Sequence, residues 1–253
     1  MEKYKKMIID AFLSPYFPET ENLFDDSIVL MIDVLRASTT IAACMHNGAK
    51  EVIPCDTLDK AVKVYSSLSK EVRFLGGERN GVKPSGFDAG NSPLEFTSDN
   101  VTGKSVILST SNGTKTFLKA KLARKRIIAS FVNHNVVRDF LFNHIKESES
   151  KETKIFILCS GTNGRLSYED IICAGSYIQE LTTHFTVDKL SDSAEIARTL
   201  FNLHRKDMKD VLIKSEHARR LIELGYAEDI DTALTYNVYP VLPEFIGSSI
   251  KVS

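Results

Sequence analysis

Apolar and polar residues alternate along the chain in a repeated order that predicts an α/β fold. From Ser27 onward, short apolar runs such as "SIVLMID" and "KIFILC" are each followed by a stretch with helical spacing, such as "STTIAACMHNG" and "SYEDIICAGSYIQEL". Strands that are apolar throughout are typical of a parallel sheet covered on both faces. We therefore predict a layered α/β/α architecture with a mainly parallel sheet.

Two segments interrupt this alternation. Residues 76–96 carry five glycines and two prolines with little periodicity, and a loop of that length is uncommon in a compact domain unless it is functional. After Thr182 the chain becomes helical and charged, and it then ends in the short apolar stretch "VYPVLPEF". We predict a single unit over residues 1–253, with two closely packed α/β halves, about 1–100 and 101–253, as the alternative.

Composition and net charge limit the classes of partner that we expect the protein to bind. The net charge of −1 favours neither nucleic acid nor a membrane surface, so any anion binding must be local. The apolar runs are too short to span a bilayer, no secretory leader is recognised, and the four cysteines form no Cys-x-x-Cys pair. We expect a cytoplasmic protein with no nucleic-acid or membrane partner. Apolar residues in the C-terminal helices can pack on the domain's own core or on a second subunit, so a homo-oligomer is an alternative to a monomer.

The first candidate site is the strand–helix junction "MIDVLRASTT". Ligands of open parallel sheets bind beyond the carboxyl ends of the strands, near helix N-termini. There Asp33 can hold Mg²⁺, and Arg36 can hold an oxyanion with the help of Ser38 and Thr39. The alternative is a plain helix cap with an ion pair between Asp33 and Arg36.

Two further junctions, "LSTSNGTKTF" and "CSGTNGRLSYED", offer donors of the same kind. Their glycines allow the backbone to approach a ligand closely, and their hydroxyl, amide and N–H groups can donate to it. A simple Asn-Gly turn with a cap is the alternative. The residues expected to contact an anionic substrate are Thr110, Asn112, Gly113, Thr114, Gly161 and Thr162.

The glycine-rich loop adds acids, bases and amides to the same region. Glu78 and Arg79 begin it, and Asn91 and Ser92 follow towards its end. Carboxylates beside cations and glycine-opened loops suit a divalent metal together with a phosphate. We expect all these junctions to lie at one edge of the sheet, where they predict a site for phosphate or a similar small oxyanion.

A second route to phosphate chemistry is open at Cys159. The spacing Cys-x5-Arg, from Cys159 to Arg165, is also that of phosphatases whose cysteine thiolate attacks phosphorus. That mechanism requires a lowered thiol pKa and an arginine that clamps the phosphate. Because such enzymes need no metal, it would leave the nearby carboxylates without a task. We therefore favour a mechanism without a sulfur nucleophile.

Five blocks of the sequence resemble the 2-phosphosulfolactate phosphatase family. They are "IDVLRASTTIAACMHNGAKEVIP", "GERNGVKPSGFDAGNSPLEF", "LSTSNGTK", "CSGTNGRLSYEDIICAG" and "HARRLIELGYAEDID", in the family's order and over about residues 29–243. The resemblance implies an α/β fold peculiar to the family. It also implies Mg²⁺-dependent hydrolysis of 2-phospho-3-sulfolactate to 3-sulfolactate and phosphate, within coenzyme M synthesis or sulfolactate production.

This resemblance lets roles be assigned as expectations. We expect Asp33, Arg36 and Glu78 to be catalytic, and Asp33, Glu78 and Asp170 to bind Mg²⁺; Asp33 as a phosphate-accepting nucleophile is the alternative. Where the family pattern has a cysteine and an aspartate after "EDI", this chain has Ala233 and Asn237. Those positions either touch the site or merely pack and cap.

Two other functions remain open on the sequence alone. The first is a phosphatase for another small phosphorylated hydroxy acid, because sulfonate and carboxylate groups are recognised by the same donors. The second is a non-catalytic binder of small anionic metabolites, which would keep the donor loops without hydrolysis.

Overall fold

The computed structural model describes residues 6–16, 22–118, 120 and 122–252, apart from the side chains of residues 114 and 115. The strands in these ranges are β1 (Lys6–Phe12), β2 (Ile28–Ile32), β3 (Glu51–Pro54), β4 (Arg73–Gly77), β5 (Ser105–Ser109), β6 (Lys125–Ala129), β7 (Glu152–Cys159), β8 (Lys189–Leu190), β9 (Pro243–Ile246) and β10 (Ser249–Val252). The α-helices are α1 (Ala37–His46), α2 (Leu58–Ser67), α3 (Ser98–Val101), α4 (Gly113–Phe117), α5 (His134–Glu147), α6 (Tyr168–His184), α7 (Asp192–His204), α8 (Met208–Leu212), α9 (Glu216–Glu223) and α10 (Ala227–Ala233).

The strands form one sheet in the order β4-β5-β3-β10-β9-β6-β2-β7-β1-β8. Strands β4, β5 and β3 pair in parallel, and so do β6, β2, β7, β1 and β8. The hairpin of β9 and β10 lies between these two groups and pairs antiparallel with both. The predicted α/β fold with a mainly parallel sheet is confirmed.

Burial along β2 shows why the strand is apolar throughout. Ile28, Leu30 and Ile32 face a core that contains residues of α5, α6, α7, α9 and α10. Val29 and Met31 face a second core on the other side, which contains residues of α1 and α4. Because helices cover both faces, each position of the strand buries a side chain. The layers place the end of β2, and Asp33 after it, deep within the molecule.

We expected all the junctions to lie at one edge of the sheet, but the two groups of parallel strands run in opposite directions. The hairpin of β9 and β10 pairs antiparallel with β6 on one side and with β3 on the other, so the groups run in opposite senses. Neighbouring strands rotate by about 20–25°, and the five steps from β2 to β5 accumulate roughly 100–125°. With that rotation, strands of opposite sense can still deliver their C-terminal loops to one cavity.

The sheet also joins the two segments that were the alternative domains. Strand β3 of the first segment pairs with β5 and with β10 of the second, and the division into one or two units stays a prediction. Within the described ranges, no helix combines the length and the apolar character needed to cross a membrane.

Candidate active site

The loops that leave β2, β4, β5 and β7 surround a cavity of about 660 Å³, and helix α9 closes one side of it. This main cavity is lined by seven of the residues that the sequence proposed: Asp33, Arg36, Glu78, Asn91, Thr110, Asn112 and Thr162. The other lining residues, which the sequence analysis did not propose, include Ser111, His217, Arg219, Arg220 and Glu223. The side chain of Thr114 lies outside the described part of the chain.

Asp33 is held by the turn between β2 and α1. Its backbone N–H donates to Ser38 Oγ at 2.8 Å, its carbonyl accepts from the Ser38 N–H at 2.8 Å, and its Oδ1 accepts from the Ala37 N–H at 3.2 Å. Gly113 at the start of α4 approaches from the other side. A Cβ at Gly113 would lie 2.5 Å from Asp33 Oδ2 and 2.7 Å from the Ala37 Cβ, so a side chain there would displace the carboxylate.

The electrostatics of Asp33 reflect its burial among other acids. The pKa of Asp33 is raised to about 6, chiefly by burial and to a smaller extent by the charges of Glu78 and Glu169. The charge of His217 and the hydrogen bond from the Ala37 N–H act in the opposite direction. Asp33 is therefore ionised at neutral pH, but at a cost that a bound cation would reduce.

Glu78 connects the glycine-rich loop to the junction after β5. Its Oε1 accepts from the Ser111 N–H at 2.6 Å, while its Oε2 accepts from the Gly81 N–H at 2.7 Å and from Ser111 Oγ at 3.1 Å. The residue is 7% exposed and lines the main cavity. These hydrogen bonds to backbone N–H groups of two loops fix the positions of both loops.

Asp170 lies behind the cavity and joins two other loops. Its Oδ1 accepts from the Val34 N–H at 2.8 Å and its Oδ2 from the Gly161 N–H at 3.0 Å. Burial, and then the charges of Asp33 and Glu169, hold the pKa of Asp170 well above its usual range. Asp170 is not among the residues that line the main cavity, whereas the other two expected metal ligands, Asp33 and Glu78, are.

Arg36 is paired with an acid that the sequence analysis overlooked. Its Nη1 lies 2.6 Å from Asp229 Oδ2, and each side chain is only 2% exposed. The guanidinium also lies 4.3 Å from the centre of the Tyr226 ring, and Ser92 Oγ donates to Asp229 Oδ1 at 2.6 Å. The structure therefore pairs Arg36 with Asp229 instead of Asp33. Asp229 belongs to the block "HARRLIELGYAEDID" of the family resemblance, but nothing in the sequence distinguishes it from the other acids of that block.

Several residues expected to contact a substrate are bonded within the protein instead. Thr39 Oγ1 donates to the Val34 carbonyl at 2.8 Å and lies 3.0 Å from Ser130 Oγ. Arg79 Nη2 donates to Ser109 Oγ at 2.9 Å. Ser38, Thr39, Arg79, Ser92 and Gly161 do not line the main cavity. Their observed contacts hold its loops in place.

The loop after β7 presents Thr162 to the cavity and keeps Cys159 away from it. Gly161 has φ +62°, and a Cβ there would collide with the Arg165 carbonyl, so the turn requires glycine. Cys159 is fully buried, and burial, followed by the charge of Asp170, raises its pKa well above the usual value. A thiolate is therefore disfavoured at the position that a sulfur nucleophile would occupy.

Helix α9 supplies the cationic side of the cavity. Ser215 caps it by accepting from the Ala218 N–H at 3.2 Å, and His217, Arg219 and Arg220 of this helix line the cavity. Burial lowers the pKa of His217, but the hydrogen bond and charge of Glu169 and the charge of Asp33 outweigh it, so the pKa is raised. The sequence indicates only that this segment is helical and charged, because the partners of its side chains are distant in sequence.

The two departures from the family pattern lie outside the cavity lining. Ala233 is fully buried in the core on the α6 side of the sheet. Asn237 has φ +61° and its Oδ1 accepts from the Asn135 N–H at 2.7 Å, at the start of α5. Asparagine tolerates this left-handed conformation and its side chain acts here as a helix cap. Of the two alternatives, packing and capping is the one that the structure supports.

Comparison with known proteins identifies the family of the chain. The chain matches the family model described as 2-phosphosulpholactate phosphatase over residues 14–247. It belongs to that family. It is 34% identical over 249 residues to a probable 2-phosphosulfolactate phosphatase of Caldanaerobacter subterraneus subsp. tengcongensis, covering 96% of this chain and 98% of the relative. It is 38% identical over 230 residues to a protein of the same name from Carboxydothermus hydrogenoformans, covering 90% of each chain.

The buried ion pair between Arg36 and Asp229 should contribute strongly to the stability of the fold around the cavity. Asp229→Asn leaves a buried guanidinium without a counter-charge, and we expect the free energy of unfolding to fall by about 3–5 kcal/mol. Asp231→Asn on the same helix is the matched control, since Asp231 pairs with Lys209 at an exposed position and should change stability by less than about 1 kcal/mol. Urea unfolding of both variants measures this; equal effects would contradict the role of the pair.

The buried thiol of Cys159 should be dispensable for chemistry. Cys159→Ser is expected to lower kcat by less than about tenfold, whereas loss of a nucleophile costs several orders of magnitude. Cys44→Ser is the control for the effect of placing a hydroxyl at a fully buried thiol, because Cys44 lies in the core away from the cavity. Phosphate release by the two variants is compared. A loss of several orders at Cys159 alone would restore the thiolate mechanism.

Proposed function

We propose that this protein is a Mg²⁺-dependent phosphatase that hydrolyses 2-phospho-3-sulfolactate to 3-sulfolactate and phosphate. The observation that carries the proposal is the main cavity, in which Asp33 and Glu78 face the cationic residues of α9, in a chain of the 2-phosphosulpholactate phosphatase family. A cytoplasmic location and a role in coenzyme M synthesis or sulfolactate production are part of the same proposal.

The charges around the cavity suit this substrate. Phosphate, sulfonate and carboxylate on three carbons give roughly four negative charges near neutral pH. His217, Arg219 and Arg220 line the cavity from α9, while Arg36 is already neutralised by Asp229. Arg219, together with Arg220, whose ion pair with Glu223 at 3.5 Å is exposed, would therefore supply the attraction for the anionic ends of the substrate.

The donor set fits a Mg²⁺ ion, which binds through one or two carboxylates, water and substrate phosphate. Among the described residues, no cluster of three or more acidic, histidine or cysteine side chains could hold a metal on its own. Glu78 accepts three hydrogen bonds and Asp170 accepts two. Asp33 accepts one weak bond within the described chain, from the Ala37 N–H, and is thus the carboxylate most open to a cation.

Asp33 and Glu78, which both line the cavity, are the residues that would hold Mg²⁺. When bound, the ion would offset the charge of the phosphate oxygens and so favour attack at phosphorus. Asn112 braces the cavity rim, since its Oδ1 accepts from the Asn163 N–H at 3.2 Å and so ties the loops after β5 and β7 together. These fixed loops would orient the phosphate for in-line displacement.

Direct attack by water is our proposal for the displacement. The alternative is transfer of the phosphate to Asp33, whose Oδ2 lies beside Gly113 at the cavity. Either route requires an ionised Asp33, and both release phosphate and the alcohol.

A substrate panel tests the function itself. We expect Mg²⁺-dependent phosphate release that is fastest with phosphosulfolactate and slower with phospholactate, phosphoglycerate and phosphoglycolate, because only the first offers a sulfonate to the arginines of α9. EDTA should abolish the reaction and excess Mg²⁺ should restore it. A preference for another ester would indicate the broader hydroxy-acid phosphatase. Binding of these anions without phosphate release would indicate a metabolite binder.

Asp33→Asn tests the residue on which both routes depend. The amide keeps the size of the side chain but removes the charge, so kcat should fall by several orders of magnitude with little loss of stability. Asp139→Asn, at an exposed position on α5, is the control and should retain normal turnover. Near-normal turnover of Asp33→Asn would remove this residue from the mechanism.

A further inference from the structure

His217 lies where two cavities meet. It lines the main cavity with Asp33 and Glu78, and it also lines a neighbouring cavity of about 600 Å³ that is bordered by Arg165, Tyr168 and Glu169. Its side chain is 19% exposed and Glu169 beside it is 1% exposed. A partly accessible imidazole is thus backed by a buried acid at the wall of the main cavity.

The hydrogen bonds of His217 fix which ring nitrogen faces the protein. Its Nδ1 lies 3.2 Å from Glu169 Oε1 and 3.0 Å from Thr162 Oγ1. A carboxylate oxygen accepts hydrogen bonds, so the contact with Glu169 assigns a hydrogen to Nδ1. No described residue is bonded to Nε2, which leaves that nitrogen for a ligand of the cavity.

Glu169 stabilises the protonated, positively charged form of the His217 imidazole. Its Oε2 has no hydrogen-bond partner within the described chain, and His217 is the cation at ion-pair distance from its Oε1. A buried carboxylate without a counter-charge is costly, so it favours the imidazolium. Of the groups that face the ring, Glu169 on α6 and Asp33 after β2 raise the pKa of His217, and Arg36 before α1 and burial lower it.

We propose that His217 is the general acid of the reaction and that Glu169 positions it. The inference rests on the phosphatase function proposed above. As water attacks phosphorus, the bond from phosphorus to the alcohol oxygen breaks, and its electron pair takes the proton from His217 Nε2. The attacking water keeps one hydrogen as the new phosphate hydroxyl. It releases the other, which restores the imidazolium, so that one water is consumed for each alcohol and phosphate formed.

The chemistry of the substrate makes such an acid useful. The leaving group of a phosphorylated hydroxy acid is an alkoxide, which departs readily only when it is protonated. General acid catalysis by a positioned side chain contributes typically about 10²–10⁴-fold. Asp33 and Glu78 cannot serve as this acid while they hold Mg²⁺, because that role requires them as anions.

The dependence on the leaving group tests this role. For His217→Gln we expect kcat on 2-phospho-3-sulfolactate to fall by about 10²-fold or more, with a smaller change in KM. With 4-nitrophenyl phosphate the loss should be below about tenfold, because 4-nitrophenolate leaves without a proton. His184→Ala, an exposed histidine at the end of α6, is the control and should match the wild type on both esters.

Equal losses on both esters, or an unchanged kcat on phosphosulfolactate, would overturn the assignment of His217. Thermal unfolding of the variant, with retained 4-nitrophenyl phosphatase activity, shows that the fold is intact. If the wild type itself releases no phosphate from either ester, the phosphatase function fails and this role fails with it. An active wild type with equal losses overturns the role alone.

Glu169→Gln tests the positioning residue with phosphosulfolactate alone. The amide oxygen can still accept from Nδ1, but the negative charge is gone, so the pKa of His217 should fall. Because the acid is active when protonated, the alkaline limb of the kcat profile should then move to lower pH, and it should disappear in His217→Gln. An alkaline limb that stays in place in both variants would overturn the proposal.

Discussion

The structure depends on one electrostatic constraint, which is the gathering of four buried carboxyl groups at and behind the main cavity. Asp33, Glu78, Glu169 and Asp170 are each 7% exposed or less. Buried anions of like charge destabilise one another unless donors or cations compensate. Backbone N–H groups provide this for Glu78 and Asp170, and His217 provides it for Glu169. For Asp33 the hydrogen bond from the Ala37 N–H and the charge of His217 compensate only in part, and its pKa stays raised.

The compensation also explains how the loops are arranged. The N–H groups that stabilise these acids belong to different loops, so each acid ties together segments that are distant in sequence. Glu78 joins residues near 81 and 111, and Asp170 joins residues near 34 and 161. The buried acids therefore hold together the loops that form the cavity. Ser38 and Thr39 were expected to contact the substrate. Their hydroxyl groups instead form hydrogen bonds with the backbone at Asp33 and Val34.

The alternation of strands and helices could be predicted from the sequence, because a buried strand and an amphipathic helix are local patterns. The acids and glycines at strand ends could be predicted for the same reason, since they follow their strands directly. The insertion of β9 and β10 between β6 and β3 could not, because it is decided by pairing across more than a hundred residues. His217 and Asp229 were missed likewise, since their partners Glu169 and Arg36 lie 48 and 193 residues away.

The central claim is that phosphate binds in the main cavity beside Asp33. A crystal structure of the protein grown with Mg²⁺, 3-sulfolactate and orthophosphate tests it most directly. The account predicts phosphate between the loops after β2 and β5, with Mg²⁺ on Asp33 and the sulfonate near Arg219 or Arg220. Phosphate bound instead at the loop of Cys159 and Arg165, with no metal at Asp33, would contradict it.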